Sequence, residues 1–190
     1  MKPSNLDTWN PSFAPCFTPI EMLDMGVFMD SHYNVAIKGL PEAWYKHKNV
    51  IPRSEEPDPK NNFYGVKSRQ SLKVWQENKW TTTNSPLGWW EWYVKYYFGR
   101  RLEQEDKWQI GRWRSFVARH MGQVRASCDL KDKNCHTVQR QGLLQWGWDS
   151  TKLFTPEQEK QNLKKLGVKA KDEEVSLESF LKPQAPWSGW

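Results

Sequence analysis

No stretch of this chain approaches the roughly 20 consecutive apolar residues that a membrane helix requires, so a membrane is not an expected partner. The opening residues Met1-Lys2-Pro3-Ser4-Asn5 carry no apolar leader, which predicts retention in the compartment of synthesis. Cysteines are few: Cys16, Cys128 and Cys135. Three is too small and too odd a number for a secreted disulfide scaffold, which argues for a reducing interior, by default the cytoplasm. A Ser-His-Asp order, a glycine-rich phosphate loop and a metalloprotease string are all missing. So are the zinc-finger and aromatic-sheet signatures of common nucleic-acid modules. The sequence therefore names no reaction, no catalytic set and no cofactor, and it shows no internal repeat.

What is present is tryptophan and localised positive charge. Only 37% of the 190 residues are hydrophobic, but thirteen are Trp. Each buried aromatic removes about 150–250 Å² from water, so a core made of a few large rings is expected. One domain suits the length. The net charge of +6 is concentrated between Lys95 and Arg140, where eleven Lys and Arg stand against five Asp and Glu; the rest of the chain is neutral in balance. An acidic partner would meet that segment.

The pattern predicts a mainly α-helical fold: a single compact helical domain with an irregular N-terminal wrap and an extended C-terminal tail. Residues 1–17 read as an arm, 18–167 as the Trp-rich domain and 168–190 as the tail. Thr18-Pro19-Ile20-Glu21 is a capping box that opens a short helix to about Met25, closed by Gly26. From Val27 to Asn62 no period is sustained, and Pro41, Pro52, Pro57 and Pro59 interrupt it. Ser71 caps a short helix to Asn78, with Leu72, Trp75 and Lys79 on one side. Ser85-Pro86 predicts the start of a helix that runs through Trp89, Trp90, Trp92, Tyr93, Tyr96 and Tyr97 to Gly99, with rings on nearly all sides. Such a helix must be buried or must offer rings to a ligand.

Glu103, Glu105 and Asp106 favour the next helix start, and Ile110, Trp113, Val117, Met121 and Val124 form its apolar seam. Thr137 to Trp148 predicts a further helix, weakened by Gly142 and Gly147. Thr155-Pro156-Glu157-Gln158 repeats the capping-box chemistry, with Leu163 and Leu166 closing a last helix before Gly167.

The string from Trp89 to Arg101, then Glu105-Asp106, Gln109-Ile110, Arg112-Trp113 and Arg140-Gln141-Gly142-Leu143-Leu144-Gln145-Trp146, resembles a family of small Trp-rich proteins of bacteria, algae and large DNA viruses or phages. Thr18 to Phe28 is similar to that family's opening, so the resemblance covers roughly Thr18 to Ser150. It implies one intact domain, of cytoplasmic or, for a viral source, virion location. No activity is established for that family, and no catalytic residues carry over.

Four constellations follow from the residues. Arg112, Arg114, Arg119 and Arg125, assisted by Arg100 and Arg101, can neutralise phosphates, while Trp89, Trp92, Tyr93 and Tyr96 can stack on unpaired bases. This makes nucleic-acid binding the leading expectation. The plain alternative buries the rings in the core and pairs the arginines with Glu103, Glu105 and Asp106. Arg and aromatic enrichment equally marks protein interfaces, so a structural subunit of a larger assembly is a second reading. An enzyme acting on nucleic acid is a third; it needs Glu105 or Asp106 to converge with Arg101 in one pocket, with or without His120.

His120, Cys128, Cys135 and His136 offer four nitrogen and sulfur ligands around one loop. The spacing between the cysteines is wider than the common zinc patterns, and buried thiols or a loop disulfide are the alternatives. In the tail, Leu177, Phe180 and Leu181, followed by Trp187 and Trp190, can lay an apolar face into a protein partner's groove or fold back onto the domain.

Overall fold

A computed structural model describes residues 9–31, 40–46, 48–52, 54–129 and 131–152. The helix expected after Thr155 and the tail that contains Leu177, Phe180, Leu181, Trp187 and Trp190 lie outside these residues. The described chain is mainly helical, with no strand among the described residues. Its elements are α1 (Pro19–Asp24), α2 (Glu42–Tyr45), a 3₁₀ turn (Pro59–Asn61), α3 (Leu72–Glu77), α4 (Trp89–Tyr97), α5 (Glu103–Ser127) and α6 (Thr137–Gln145). No helix among the described residues is long and apolar enough to cross a membrane.

Local chemistry accounts for several of these boundaries. At α1 the capping box forms in full: the Glu21 amide donates to Thr18 Oγ1, and Glu21 Oε2 accepts from Thr18 N at 2.7 Å. Ser71 caps α3, which ends at Glu77, so Lys79 falls past the helix in a left-handed turn at φ 57° rather than on the face shared by Leu72 and Trp75. α4 begins at Trp89, three residues after the Pro86 position expected from sequence. Ser85 is fully buried, its carbonyl accepts from Gly88 N, and its hydroxyl accepts from Arg100 Nη2. Gly88 then turns the chain at φ 94°, a conformation that a side chain would oppose.

α5 is the spine, 25 residues and therefore about 37 Å long. Its predicted seam of Ile110, Trp113, Val117, Met121 and Val124 is buried throughout. α5 packs on α6, and α4 packs on α1 and α5. Gly142, which weakened the sequence case for α6, sits at the α5–α6 contact: a Cβ there would lie 3.2 Å from Phe116 Cζ and 2.9 Å from Ser68 Oγ. The glycine is what lets the two helices approach.

The centre of the core is a ring cluster around Phe13, which is 1% exposed. Its ring stacks on Trp9 and meets Trp89, Trp92, Tyr93, Tyr96 and Trp113 edge-on, at centroid distances of 5.1 to 6.2 Å. Edge-to-face contacts of this kind contribute about 0.5–1.5 kcal/mol each beyond burial. Within the segment read from sequence as an arm, Phe13 is a core residue, and Trp9, Cys16 and Phe17 pack against the core. The amides of Cys16 and Phe17 also donate to the Gly147 carbonyl, at 2.7 and 3.2 Å.

The resemblance element that begins at Arg140 is structural. The Arg140 guanidinium is fully buried and donates to Cys135 O (2.7 Å), Asp129 O (3.4 Å) and Ser150 Oγ (3.0 Å). Gln141, also fully buried, accepts from Tyr64 N and donates to Val27 O. Together they join the α5–α6 loop and the N-terminal wrap to α6.

Candidate functional site

Ten residues between Trp89 and Arg125 are candidate contacts for nucleic acid, and the structure divides them. Trp92, Tyr93 and Tyr96, expected as stacking rings, are no more than 1% exposed and are core residues. Their polar atoms are committed: Trp92 Nε1 donates to Asp106 Oδ1 at 2.8 Å, Tyr93 OH donates to Phe17 O at 2.8 Å, and Tyr96 OH accepts from Asn10 N at 2.8 Å. Burial raises the Tyr93 hydroxyl well above the ordinary tyrosine value.

Arg100 and Arg101 are likewise framework residues. Arg100 Nη2 lies 3.0 Å from Glu105 Oε2. Arg101 donates to Tyr96 O and Arg100 O, with its guanidinium carbon 3.8 Å from the centre of the Tyr96 ring. Arg114 and Arg125 are half-buried on α5, away from the cleft described next.

Trp89, Arg112 and Arg119 do come together. They line a cleft of about 680 Å³ between the 67–80 segment and the α4–α5–α6 unit. That size lies within the roughly 300–1,000 Å³ of small-ligand sites. Four cationic side chains reach it: Lys67 and Arg69 from the loop before α3, and Arg112 and Arg119 from α5. Among the described residues that line it, none is acidic.

Its aromatic wall is a continuous pile of near-parallel rings. His120 stacks on Phe116 at 3.9 Å and 16°, Phe116 on Trp146 at 4.5 Å and 9°, and Trp146 on Trp89 at 4.8 Å and 25°. Trp75, Trp80, Trp90 and Phe28 add further rings to the lining. The spacing of Phe116 and His120, four apart on α5, places both on one helix face.

Arg112 is 8% exposed and donates to two neutral acceptors, Trp80 O at 2.8 Å and Gln109 Oε1 at 3.1 Å. Its guanidinium lies 4.5 Å from the Trp108 ring centre and 5.6 Å from that of Trp146, where the negative ring faces offset part of its lost hydration. Burial lowers Arg119 from the ordinary guanidinium range. Arg69 is held by Asp30 at 3.3 Å, and Lys67 is exposed.

His120 has its pKa lowered by burial and, to a lesser degree, by the neighbouring Arg119 charge, against the opposing pull of its bond to Phe116 O. These effects favour the neutral imidazole over the charged one. Because Nδ1 lies 3.0 Å from the Phe116 carbonyl, and a carbonyl only accepts, Nδ1 carries the hydrogen and Nε2 the lone pair. Trp89 keeps its indole N–H buried without an acceptor.

The two carboxylates weighed for acid–base chemistry are tied into the framework. Glu105 accepts from Thr82 Oγ1 and pairs with Arg100, while Asp106 accepts from Trp92 Nε1 and Leu102 N. Neither carboxylate lines the cleft with His120. The four-ligand set of the α5–α6 loop is incomplete. Cys128 and Cys135 form a disulfide, and His136 is beside them. His120 is elsewhere, stacked on Phe116.

Sequence reasoning missed Lys67, Arg69, Trp75 and Trp80 as site residues. The alternation of cations and indoles from Lys67 to Trp80 is the signal that could have found them. Compared with family models, curated proteins and solved structures, the chain matches none.

Proposed function

We infer that this chain binds unpaired nucleic acid in the cleft, with phosphates on the Lys67, Arg69, Arg112 and Arg119 rim and a base against the His120–Phe116–Trp146–Trp89 stack. One observation carries the reading: the cations and the ring pile share one cleft whose described lining contains no carboxylate. Guanidinium and ammonium groups attract phosphate through released counterions. Phe116 and Trp146 have a ring on each face, so a base stacks on the His120 end of the pile and meets the other rings at their edges; one such face adds about 1–3 kcal/mol, largely irrespective of sequence.

The dimensions favour a single strand. A volume of 680 Å³ is that of a small-molecule site, whereas a duplex presents its bases already stacked and paired. Within the cleft, His120 Nε2 accepts, and the exposed amides of Gln70 and Gln123 both donate and accept. These groups match the donor and acceptor edges of an unstacked base.

The test is a fluorescence-anisotropy titration of labelled single-stranded DNA and RNA and of the matching duplexes, at low and at physiological salt. Single strands bind more tightly than duplexes, and Arg119→Ala weakens them. No binding of any strand at low salt would remove the reading.

A further inference from the structure

We propose that reduction of the Cys128–Cys135 disulfide opens a site for one thiophilic divalent cation, with Cys128 Sγ, Cys135 Sγ and a ring nitrogen of His136 as ligands. The three ligand atoms already lie within 4.8 Å of one another, and all three residues are half-buried. Two sulfurs and an imidazole form a soft donor set that selects zinc over magnesium or calcium. Three protein ligands leave a fourth position for water.

The loop is framed independently of its covalent link. Arg140, anchored in α6, donates to Cys135 O on one side and to Asp129 O on the other, and the Cys128 amide is tied to Val124 O at 2.9 Å. Six residues separate the cysteines, more than in common zinc loops, but this guanidinium brings the two ends together as a short spacing would. Cutting the sulfur–sulfur bond therefore leaves both thiols facing His136.

His136 is also prepared for coordination. It sits at φ 54°, ψ 46°, a left-handed conformation uncommon for a residue with a side chain and concentrated at functional positions. Ser127 Oγ lies 2.7 Å from its Nε2, and Gln139 Oε1 lies 3.3 Å from its Nδ1. Whichever nitrogen binds metal, the other faces an oxygen that can accept its hydrogen and orient the ring, the usual outer-shell arrangement of a metal-bound histidine.

The step balances. An external dithiol gives two electrons and two protons to the disulfide and closes to its own disulfide, leaving two thiols on the chain. The cation then displaces both thiol protons. Reoxidation would release it.

The probe is cobalt(II), added to the full-length chain before and after reduction with a phosphine. Reduced protein takes up one equivalent and shows thiolate-to-cobalt charge transfer with the intense visible bands of a four-coordinate ion; zinc abolishes both, and oxidised protein shows neither. His136→Ala binds roughly 10-fold more weakly or worse, whereas Cys16→Ser keeps the signal. Should Cys128→Ser or Cys135→Ser fail to fold, alkylation of the reduced natural sequence, read by mass spectrometry, decides instead: zinc protects Cys128 and Cys135 and leaves the Cys16 rate unchanged. Absence of the charge-transfer band in reduced protein, its survival in His136→Ala at undiminished affinity, or equal alkylation with and without zinc would overturn the proposal.

Discussion

The salt dependence of strand binding can be worked from the cleft. Four cationic side chains line it, but Arg69 is held by Asp30, and Arg112 is 8% exposed and bonded to Trp80 O and Gln109. On the proposed function, between two and four phosphates would then be neutralised. For single strands the logarithm of affinity falls with that of salt at a slope of about −0.7 per phosphate, which gives a total of about −1.4 to −2.8. Raising salt from about 50 to about 200 mM, conditions over which this effect is pronounced, then weakens binding about 7-fold to 50-fold. Arg119→Ala should flatten the slope by about 0.7, because arginine remains charged at neutral pH. Anisotropy titrations at constant pH across that range measure both quantities. A slope near zero, or one identical in Arg119→Ala and the natural sequence, would refute the placement of phosphates on this rim. A slope steeper than about −4 would put the main contacts outside the cleft.

Phe13→Ala should cost about 3–5 kcal/mol, and, at about 2–4 °C per kcal/mol for a chain of this size, should lower Tm by roughly 6–20 °C; a loss under about 1 kcal/mol in urea unfolding would place Phe13 outside the core. Arg140→Lys keeps the charge but loses the forked donors that reach Ser150 and Asp129, each worth about 1.5–3 kcal/mol as a charged hydrogen bond; a drop of at least about 2 kcal/mol is expected, and an unchanged midpoint would contradict the framing role. His120 has a folded pKa below its unfolded value of 6.5, so the unfolded chain takes up the proton first. Its contribution to stability is fully present above about pH 6.5 and is lost as pH falls through the lower folded value. Urea midpoints for the natural chain should decline more steeply below pH 6.5 than those for His120→Phe, and parallel declines would refute the assignment.

Signals that act within one turn were legible in the sequence. Thr18 and Glu21 satisfy each other's neighbouring amides without help from the rest of the chain, and the seam of α5 repeats at a period that only a helix buries on one side. Ser85-Pro86 misplaced the start of α4 because the Ser85 hydroxyl is engaged by Arg100, fifteen residues on, and Gly88 makes the turn instead. The destinations of the rings were not legible at all. Trp92 and Trp89 lie in the same helix, yet one faces Phe13 and Asp106 deep in the core while the other also borders the cleft, and what separates them is packing by residues far away in the chain. Arg112 and Arg114 differ for the same reason: Trp80 happens to present its carbonyl to the first.

The clasp formed when the Cys16 and Phe17 amides meet the Gly147 carbonyl bears on how the protein is made. Ribosomes add about 5–20 residues per second, so the 131 positions from Cys16 to Gly147 separate the emergence of the two halves of that clasp by roughly 7–26 s. Through most of that interval Trp9 and Phe13 are outside the exit tunnel without Trp113, and until its end they are without Trp146 and Trp148. The core can close only after Gly147 has emerged, and until then Trp9 and Phe13 lack partners that the finished fold supplies.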